Sequence, residues 1–306
     1  MKNYVVHEVG LRDGLQMEKQ TVPFEQKLRW AQELIASGID ILQLGSFVHP
    51  EKMPQMADTD KLFQHFNSPD NRPVRTILSG LVLNEKGLER GYACGVDMFC
   101  MGVSASDMHS RKNTGMSTEE ATTRILAMAK QASSNNKRVQ VSVQSAFGCG
   151  FEGVIDPERV LTIVRRYLEA GLRNISLADT AGHAHPFQVK HLVEKILSLD
   201  ADIEFACHFH NTYGMGMANT FAAMELGIRC FESSVAGLGG CPFTKVAAGN
   251  VCTEDFVHVL QRTGARTDIN LTKLIELAND MASYFRREMP GHVYRTGPVQ
   301  STVRNS

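Results

Sequence analysis

The sequence predicts an α/β protein, a (β/α)8 TIM barrel with a short C-terminal helical extension. Eight short apolar runs alternate along the chain with longer amphipathic segments, as eight strand-helix units would. Several amphipathic segments begin at Ser, Thr, Asp or Pro, and Ser-Gly, Ala-Gly or Leu-Gly pairs precede several of the apolar runs, as expected for helix starts and ends. A doubly wound open sheet is the alternative fold for the same pattern.

The predicted elements follow one another in chain order. Strands are predicted at residues 4–9, 39–44, 74–78, 96–101, 138–146, 174–178, 203–208 and 229–235. Helices are predicted at residues 24–36, 85–94, 117–134, 157–170, 186–199 and 214–226. We expect residues 1–265 to form the barrel. Residues 266–306, with one amphipathic helix at 271–286 and a polar tail, should pack on the barrel or at a subunit contact.

Composition excludes several classes of function. Of the 306 residues 43% are hydrophobic and 21% are charged, and the net charge is -1, which is typical of an ordinary soluble globular protein and not of a nucleic-acid-binding protein. No apolar run approaches the ~20 residues of a membrane span, and the N-terminus lacks a signal-peptide pattern, so we expect no membrane partner and a cytoplasmic location. The seven cysteines lack CxxC spacing, which favours reduced thiols over structural zinc.

Four residues at predicted strand exits form a candidate metal site. His208 and His210 lie two positions apart at the end of the seventh strand, so their imidazoles face the same side. Asp13 follows the first strand and Asn250 follows the eighth, and strands one, seven and eight are consecutive in a closed barrel. This mixed oxygen and imidazole set, with open positions, suits Mg²⁺, Mn²⁺ or another divalent Lewis acid better than structural zinc.

These assignments have structural alternatives. Asp13 could be a turn residue in Arg-Asp-Gly, and Asn250 could be the N-cap of a following helix. His183 and His185 form a second His-x-His pair at another strand exit. Because a predicted helix begins at Pro186, directly after this pair, we interpret the two histidines as loop residues and not as ligands.

Five segments resemble the 3-hydroxy-3-methylglutaryl-CoA lyases, in the same order and at matching relative positions. They are residues 8–16 (EVGLRDGLQ), 46–48 (SFV), 176–180 (SLADT), 208–214 (HFHNTYG) and 234–243 (SVAGLGGCPF). Those enzymes belong to a superfamily of metal-dependent TIM barrels that make or break carbon-carbon bonds through enolates. The resemblance covers nearly the whole barrel, and it implies retro-aldol cleavage of a 3-hydroxyacyl-CoA into acetyl-CoA and a keto acid, and a homodimer.

The resemblance and the chemistry of the residues together assign catalytic roles. Arg12 would stabilise the negative charge that develops on the thioester oxygen. Cys241 lies in the glycine-rich loop after the eighth strand and would protonate the carbanion. For removal of the hydroxyl proton we favour Asp179, at the end of the sixth strand, and a metal-bound histidine such as His208 is the alternative.

A further set of polar residues is expected to contact the acyl group or CoA. By resemblance to the lyases, this set consists of Gln43, Ser46, Ser176, Arg111, Lys112 and Asn113. Its two cations could meet the phosphates of CoA electrostatically.

Two positions depart from the pattern of the lyases, which typically carry Glu where this chain has Gln43 and Asp where it has Asn211. Gln43 cannot neutralise Arg12, so Arg12 would be freer to pair with a substrate anion. The substrate is therefore expected to be 3-hydroxy-3-methylglutaryl-CoA or a relative, such as citramalyl-CoA or a longer branched 3-hydroxyacyl-CoA. A CoA-independent ketoacid aldolase or Claisen synthase would not need Cys241, and a catalytically silent barrel would not need an intact ligand set.

Overall fold

The eight strands close into one parallel barrel. The computed structural model describes residues 4–240 and 249–299. Each strand pairs in parallel with the next, and the eighth pairs with the first. The strands are β1 Val5–Glu8, β2 Ile41–Ser46, β3 Ile77–Leu81, β4 Met98–Ser104, β5 Arg138–Gln144, β6 Asn174–Asp179, β7 Glu204–Phe209 and β8 Cys230–Ser233. The predicted TIM barrel is confirmed, and the open sheet is excluded.

Helices alternate with the strands and cover the barrel. They are α1 Phe24–Ser37, α2 Thr59–Phe66, α3 Glu85–Cys94, α4 Asp107–Thr114, α5 Thr118–Ser134, α6 Pro157–Glu169, α7 Pro186–Leu197, α8 Gly216–Glu225, α9 Thr253–Arg262, α10 Leu271–Phe285 and α11 Val293–Thr296. The ranges predicted from the sequence lack α2, α4, α9 and α11, which have at most ten residues each. Within the described residues, no helix combines the length and the apolar character that a membrane span requires.

The placement predicted for the third strand was wrong by three residues. The prediction covered residues 74–78, but Val74 is 98% exposed and the strand runs from Ile77 to Leu81. The hydroxyl of Thr76 donates to the carbonyl oxygen of Ile39 at 3.0 Å, and pairing with β2 begins at the next residue. Side-chain type alone did not reveal that the valine lies on the loop before the strand.

The two faces of the barrel sheet differ in polarity. Outward-facing strand residues such as Val141 and Leu177 pack with the helices in one apolar core. Inward-facing positions include the buried polar residues His7, Ser79 and Glu232, and the His7 Nε2 and Ser79 Oγ atoms lie 2.9 Å apart. The interior of the barrel can therefore support a polar site at the carboxyl ends of its strands.

The C-terminal extension is tied to the barrel at two places. Helix α10 packs against α1, where the Trp30 indole donates to Asp280 at 2.6 Å and Arg29 pairs with the same carboxylate at 2.7 Å. At the start of the extension, the buried Arg266 guanidinium pairs with Asp40 next to β2. Together these contacts hold the extension on the barrel surface.

We predict that Asp280→Ala lowers the free energy of unfolding by about 1–3 kcal/mol, because the Trp30 indole N–H would lose its acceptor in a buried position. Urea unfolding measures this loss. Asp280→Asn keeps an acceptor oxygen and is expected to lose less. An equal loss in both variants would assign the effect to the charge on Asp280 instead.

Candidate active site

A cavity of about 530 Å³ opens at the carboxyl end of the barrel. All eight strands, or the residues directly after them, contribute to its wall. In strand order, one contribution from each is Asp13, Gln43, Leu81, Cys100, Ser142, Ser176, His208 and Glu232.

Three of the four predicted metal ligands converge at the mouth of the barrel. Asp13, His208 and His210 are buried, and each offers a ligand atom within 4.8 Å of the others. The Nε2 atoms of His208 and His210 lie 3.8 Å and 3.5 Å from Asp13 Oδ2. Their Nδ1 atoms are engaged elsewhere, with Glu232 at 2.8 Å and with the Asp179 carbonyl oxygen at 3.0 Å. Both rings therefore direct Nε2 toward the Asp13 carboxylate.

Asn250, the fourth predicted ligand, adjoins the same carboxylate. Its Nδ2 donates to Asp13 Oδ2 and to the Leu238 carbonyl oxygen, each at 2.9 Å. Its Oδ1 is buried without a hydrogen-bond partner among the described residues, and so is His210 Nε2. Such orphaned acceptors are what a bound cation would satisfy. Helix α9 begins at Thr253 with Cys252 at its N-cap, so the N-cap alternative for Asn250 is wrong.

Arg12 holds the Asp13 carboxylate in its ionised form. Arg12 Nη1 donates to Asp13 Oδ1, and Arg12 Nε donates to Gln43 Oε1. Burial opposes ionisation of Asp13, but the Arg12 guanidinium and the two neighbouring histidines together outweigh it, so the pKa of the carboxyl lies well below its usual range. An ionised carboxylate beside two histidines is a competent set of ligands for a divalent cation.

Glu232 is a functional residue that sequence reasoning missed. Its Oε2 accepts from His208 Nδ1, and its Oε1 accepts from the Ser176 hydroxyl at 2.6 Å. Burial opposes its ionisation, but the hydrogen bond and charge of His208, with smaller contributions from His7 and Ser176, together lower the pKa of Glu232 to about 2. A carboxylate behind a metal-binding histidine fixes the ring and its tautomer. The available signal was a charged residue within the short buried strand Cys-Phe-Glu-Ser.

Two further buried carboxylates hold the loop that follows β8. Glu8 Oε1 accepts from the N–H groups of Gly10 at 2.7 Å and Val235 at 3.0 Å. Glu254 Oε2 accepts from the N–H group of Ala236 at 3.0 Å. Gly10 begins the turn that carries Asp13. Glu8 therefore fixes that turn against the loop.

Cys241 lies outside the described residues, so its role as proton donor stays a prediction. The loop that leads to it does reach the candidate metal ligands. Gly239 has a φ of +111°, and a Cβ there would lie 3.3 Å from Asp13 Oδ2, while Gly240 lines the cavity. Glycine permits both this close approach and the positive φ.

The structure does not direct the Asp179 carboxylate into the cavity. Ser176 and Ala178 line the cavity from β6, and Asp179 faces the opposite side, where its carboxylate accepts from the backbone of His183 at 2.8 Å and of Ala184 at 3.2 Å. Burial raises its pKa to about 6. Its carbonyl oxygen orients His210, so the geometry favours an orienting role over proton abstraction.

The predicted substrate-contacting residues divide into two groups. Gln43, Ser46, Ser176 and Asn113 line the cavity. Ser46 Oγ is buried without a partner among the described residues, which leaves it available to a ligand. Arg111 and Lys112 do not line the cavity; on the surface of α4, Arg111 pairs with Asp107 at 2.7 Å and Lys112 Nζ lies 3.9 Å from the centre of the Phe151 ring.

Two other positions serve helix starts. His185 is the N-cap of α7, where its Nδ1 accepts from the Gln188 amide at 3.3 Å, in agreement with its interpretation as a loop residue. Asn211 Oδ1 accepts from the Gly216 amide at 2.9 Å at the start of α8, and it does not line the cavity. An argument for an altered substrate therefore rests on Gln43 and not on Asn211.

We predict that Glu232→Gln weakens Mn²⁺ binding about 10- to 100-fold, because the His208 ring would lose its carboxylate partner. Isothermal titration of the metal-free protein with Mn²⁺ measures the affinity. Ser176→Ala, which removes the other contact of the same carboxylate, is expected to have a smaller effect. Unchanged affinity in Glu232→Gln would contradict the orienting role.

The chain is similar to known proteins over almost its full length. The HMGL-like family model matches residues 4–281. The chain is 34% identical to the (R)-citramalyl-CoA lyase of Chloroflexus aurantiacus, over 99% of this chain and 98% of the relative. It is 36% identical to the mitochondrial hydroxymethylglutaryl-CoA lyase of Homo sapiens, over 95% of this chain and 89% of the relative.

A solved structure gives the same result. An HMG-CoA lyase from Acinetobacter baumannii, in complex with coenzyme A and 3-methylmalate, matches with a TM-score of 0.91 and 35% identity, covering 98% of this chain and 97% of that one. The resemblance drawn from the five sequence segments is thus confirmed: this chain belongs to the HMGL-like family.

Proposed function

We propose that this protein is a divalent-metal-dependent acyl-CoA lyase that cleaves a 3-hydroxy-3-methylglutaryl-CoA-like thioester into acetyl-CoA and a keto acid. One observation carries the proposal: the buried set of Asp13, His208 and His210 lies at the mouth of a barrel cavity, next to Asn250 Oδ1, which has no partner among the described residues. The relatives that share the fold over nearly their whole length are named as lyases of acyl-CoA thioesters.

The proposed cleavage breaks the bond between the α-carbon of the thioester and the carbinol carbon. Mg²⁺ or Mn²⁺, held by Asp13, His208, His210 and Asn250, would supply Lewis-acid polarisation of the substrate oxygens. The bonding electrons pass to the thioester, where the Arg12 guanidinium compensates the enolate charge. Cys241 then returns a proton to the α-carbon.

The proton of the substrate hydroxyl needs an acceptor at the cavity wall. Because the Asp179 carboxylate is turned away, we assign this step to His208, the alternative that the sequence left open; Nδ1 of the ring is held by Glu232, so Nε2 would take the proton in a state in which it does not also bind the metal. Burial opposes protonation of His208, but the hydrogen bond and charge of Glu232, together with the charge of Asp13, outweigh it and raise the pKa of the ring. The Glu232 carboxylate would thus compensate the charge of the protonated imidazole.

Two candidate acyl groups have to be distinguished. The Chloroflexus relative is named for (R)-citramalyl-CoA and the human relative for hydroxymethylglutaryl-CoA, and their identities to this chain are nearly equal. A citramalyl-like or longer branched 3-hydroxyacyl-CoA is therefore the second candidate. Gln43 supports it, because a neutral amide on Arg12 Nε leaves the guanidinium paired with a single carboxylate, that of Asp13, among the described residues.

The proposal also covers the oligomeric state and the cellular location. A homodimer is proposed from the family resemblance. A cytoplasmic location is supported by the six cysteines of the described residues, all of which are free thiols.

Acetyl-CoA release from a panel of 3-hydroxyacyl-CoA thioesters, with Mg²⁺ or Mn²⁺ and with EDTA, tests the proposal. We expect metal-dependent release from at least one thioester and none from His208→Ala. Absence of release from the whole panel, together with turnover of free hydroxy or keto acids, would favour a CoA-independent aldolase or synthase.

We predict that Arg12→Lys lowers kcat about 100- to 1000-fold, because an ammonium group cannot bond Asp13 and Gln43 and still reach a developing oxyanion. Steady-state kinetics with the best thioester measures the change. Mn²⁺ affinity is expected to change little, since Asp13, His208 and His210 remain. A loss confined to metal binding would show that Arg12 only supports Asp13.

A further inference from the structure

The wall of the cavity that faces the metal ligands is built from strand β5. In a closed barrel of eight strands, β5 lies four strands from β1 in both directions, so it stands across the interior from the Asp13 turn. Three residues of β5 at alternate positions, Gln140, Ser142 and Gln144, line the cavity. We call these three residues the β5 wall.

The β5 wall is polar and uncharged, and its hydrogen-bonding groups are largely unused. Gln140 Oε1 has one weak contact, with the Cys100 thiol at 3.7 Å, and the Ser142 hydroxyl donates at 3.4 Å to the Met101 carbonyl oxygen. Within the described part of the chain, the side-chain nitrogen of Gln140 and the side-chain amide of Gln144 have no hydrogen-bond partner. Yet Gln140 is only 4% exposed. The amides are thus available to a ligand in the cavity.

The glycine on the neighbouring strand accounts for the position of this wall. A Cβ on Gly102 of β4 would lie 3.0 Å from Gln144 Nε2 and would also collide with Ser142 Oγ. Both side chains therefore lie back over the glycine, toward β4. The interior space between the β5 wall and the metal ligands stays open.

The charged groups deep in the cavity lie on the other side and are already matched. Arg12 contacts Asp13 and Gln43, and Glu232 is bonded by His208 and Ser176. The cation that Asp13, His208 and His210 would hold, together with the Arg12 guanidinium, would draw a substrate carboxylate or alkoxide to the side of β1, β7 and β8. The β5 wall is left to the substituent of the carbinol carbon that points away from that side.

We propose that the β5 wall determines acyl-group specificity, and that it receives a substituent carrying an uncharged hydrogen-bonding group, such as a hydroxyl. This inference rests on the proposed acyl-CoA lyase function. A plain alkyl group in this position would bury the amides of Gln140 and Gln144 without partners, and a site built to bond a polar group discriminates against analogues that lack it.

Three thioesters that differ only at this substituent test the inference. They are 3-hydroxy-3-methylglutaryl-CoA and its counterparts with an ethyl or a hydroxymethyl group in place of the methyl. Ethyl and hydroxymethyl groups have nearly the same size, so the ratio of kcat/KM between these two thioesters measures the contribution of the hydroxyl alone. We expect the hydroxymethyl thioester to be preferred over the ethyl thioester by about 10-fold or more.

Replacing each glutamine by methionine, which has a similar shape but no amide, tests whether that residue causes the preference for the hydroxymethyl thioester. Gln140→Met and Gln144→Met are each expected to reduce the ratio of hydroxymethyl to ethyl toward one, mainly by improving KM for the ethyl thioester. Gln131→Met on the exposed face of α5 is the matched control and should leave the ratio unchanged. Mn²⁺ affinity shows whether each variant keeps an intact site, because no metal ligand is altered.

The outcomes separate the two proposals. Cleavage of the methyl thioester with no preference between hydroxymethyl and ethyl would overturn the specificity inference and leave the lyase intact. A preference that persists in both glutamine variants would also overturn it. Failure to cleave any of the three, alongside turnover of free hydroxy or keto acids, would overturn the proposed function and the inference with it.

Discussion

The ionised carboxylate of Asp13, buried where the barrel opens, is the constraint on which the rest of the site depends. A buried charge of this kind is costly unless it is paired and hydrogen-bonded. Arg12, the Asn250 amide and the two histidine Nε2 atoms surround it. The arrangement makes the same carboxylate an anchor for the local structure and a ligand for a cation.

The surroundings of Asp13 are fixed by groups that would not touch a metal. Glu8 joins the Asp13 turn to the loop after β8, and Glu232 and the Asp179 carbonyl oxygen each hold one histidine ring. Burial raises the pKa of Glu8 to about 7, so its carboxylate is held in place at the cost of an unfavourable ionisation. The precision of the site therefore depends on positioning groups drawn from several strands.

The interior of the barrel divides into a charged side and a neutral side. Charges concentrate near β1, β7 and β8, where the candidate ligands, Arg12 and Glu232 lie, while Gln140, Ser142 and Gln144 oppose them from β5. Such a division suits a substrate whose reacting oxygens are anionic and whose remaining substituent is not. If β5 determines the acyl group as proposed, the fold can keep its chemistry while the acyl group varies, since the two roles belong to different strands.

The barrel and the core of the candidate metal site could be predicted from sequence pattern. Eight alternating strand and helix patterns leave few topologies, and barrel closure then brings Asp13, His208, His210 and Asn250 together although 237 positions separate the outermost two. Three features became clear only from the folded chain: the direction of the Asp179 carboxylate, the place of Arg111 on a surface helix, and the contact of Glu232 with His208. The physical reason is that a side chain at a strand end follows the local twist and the loop after it, and its partner comes from a strand far away in the chain. Residue type and spacing therefore indicate which chemistry a side chain is capable of, whereas its contacts with distant strands determine which role it has in the folded protein.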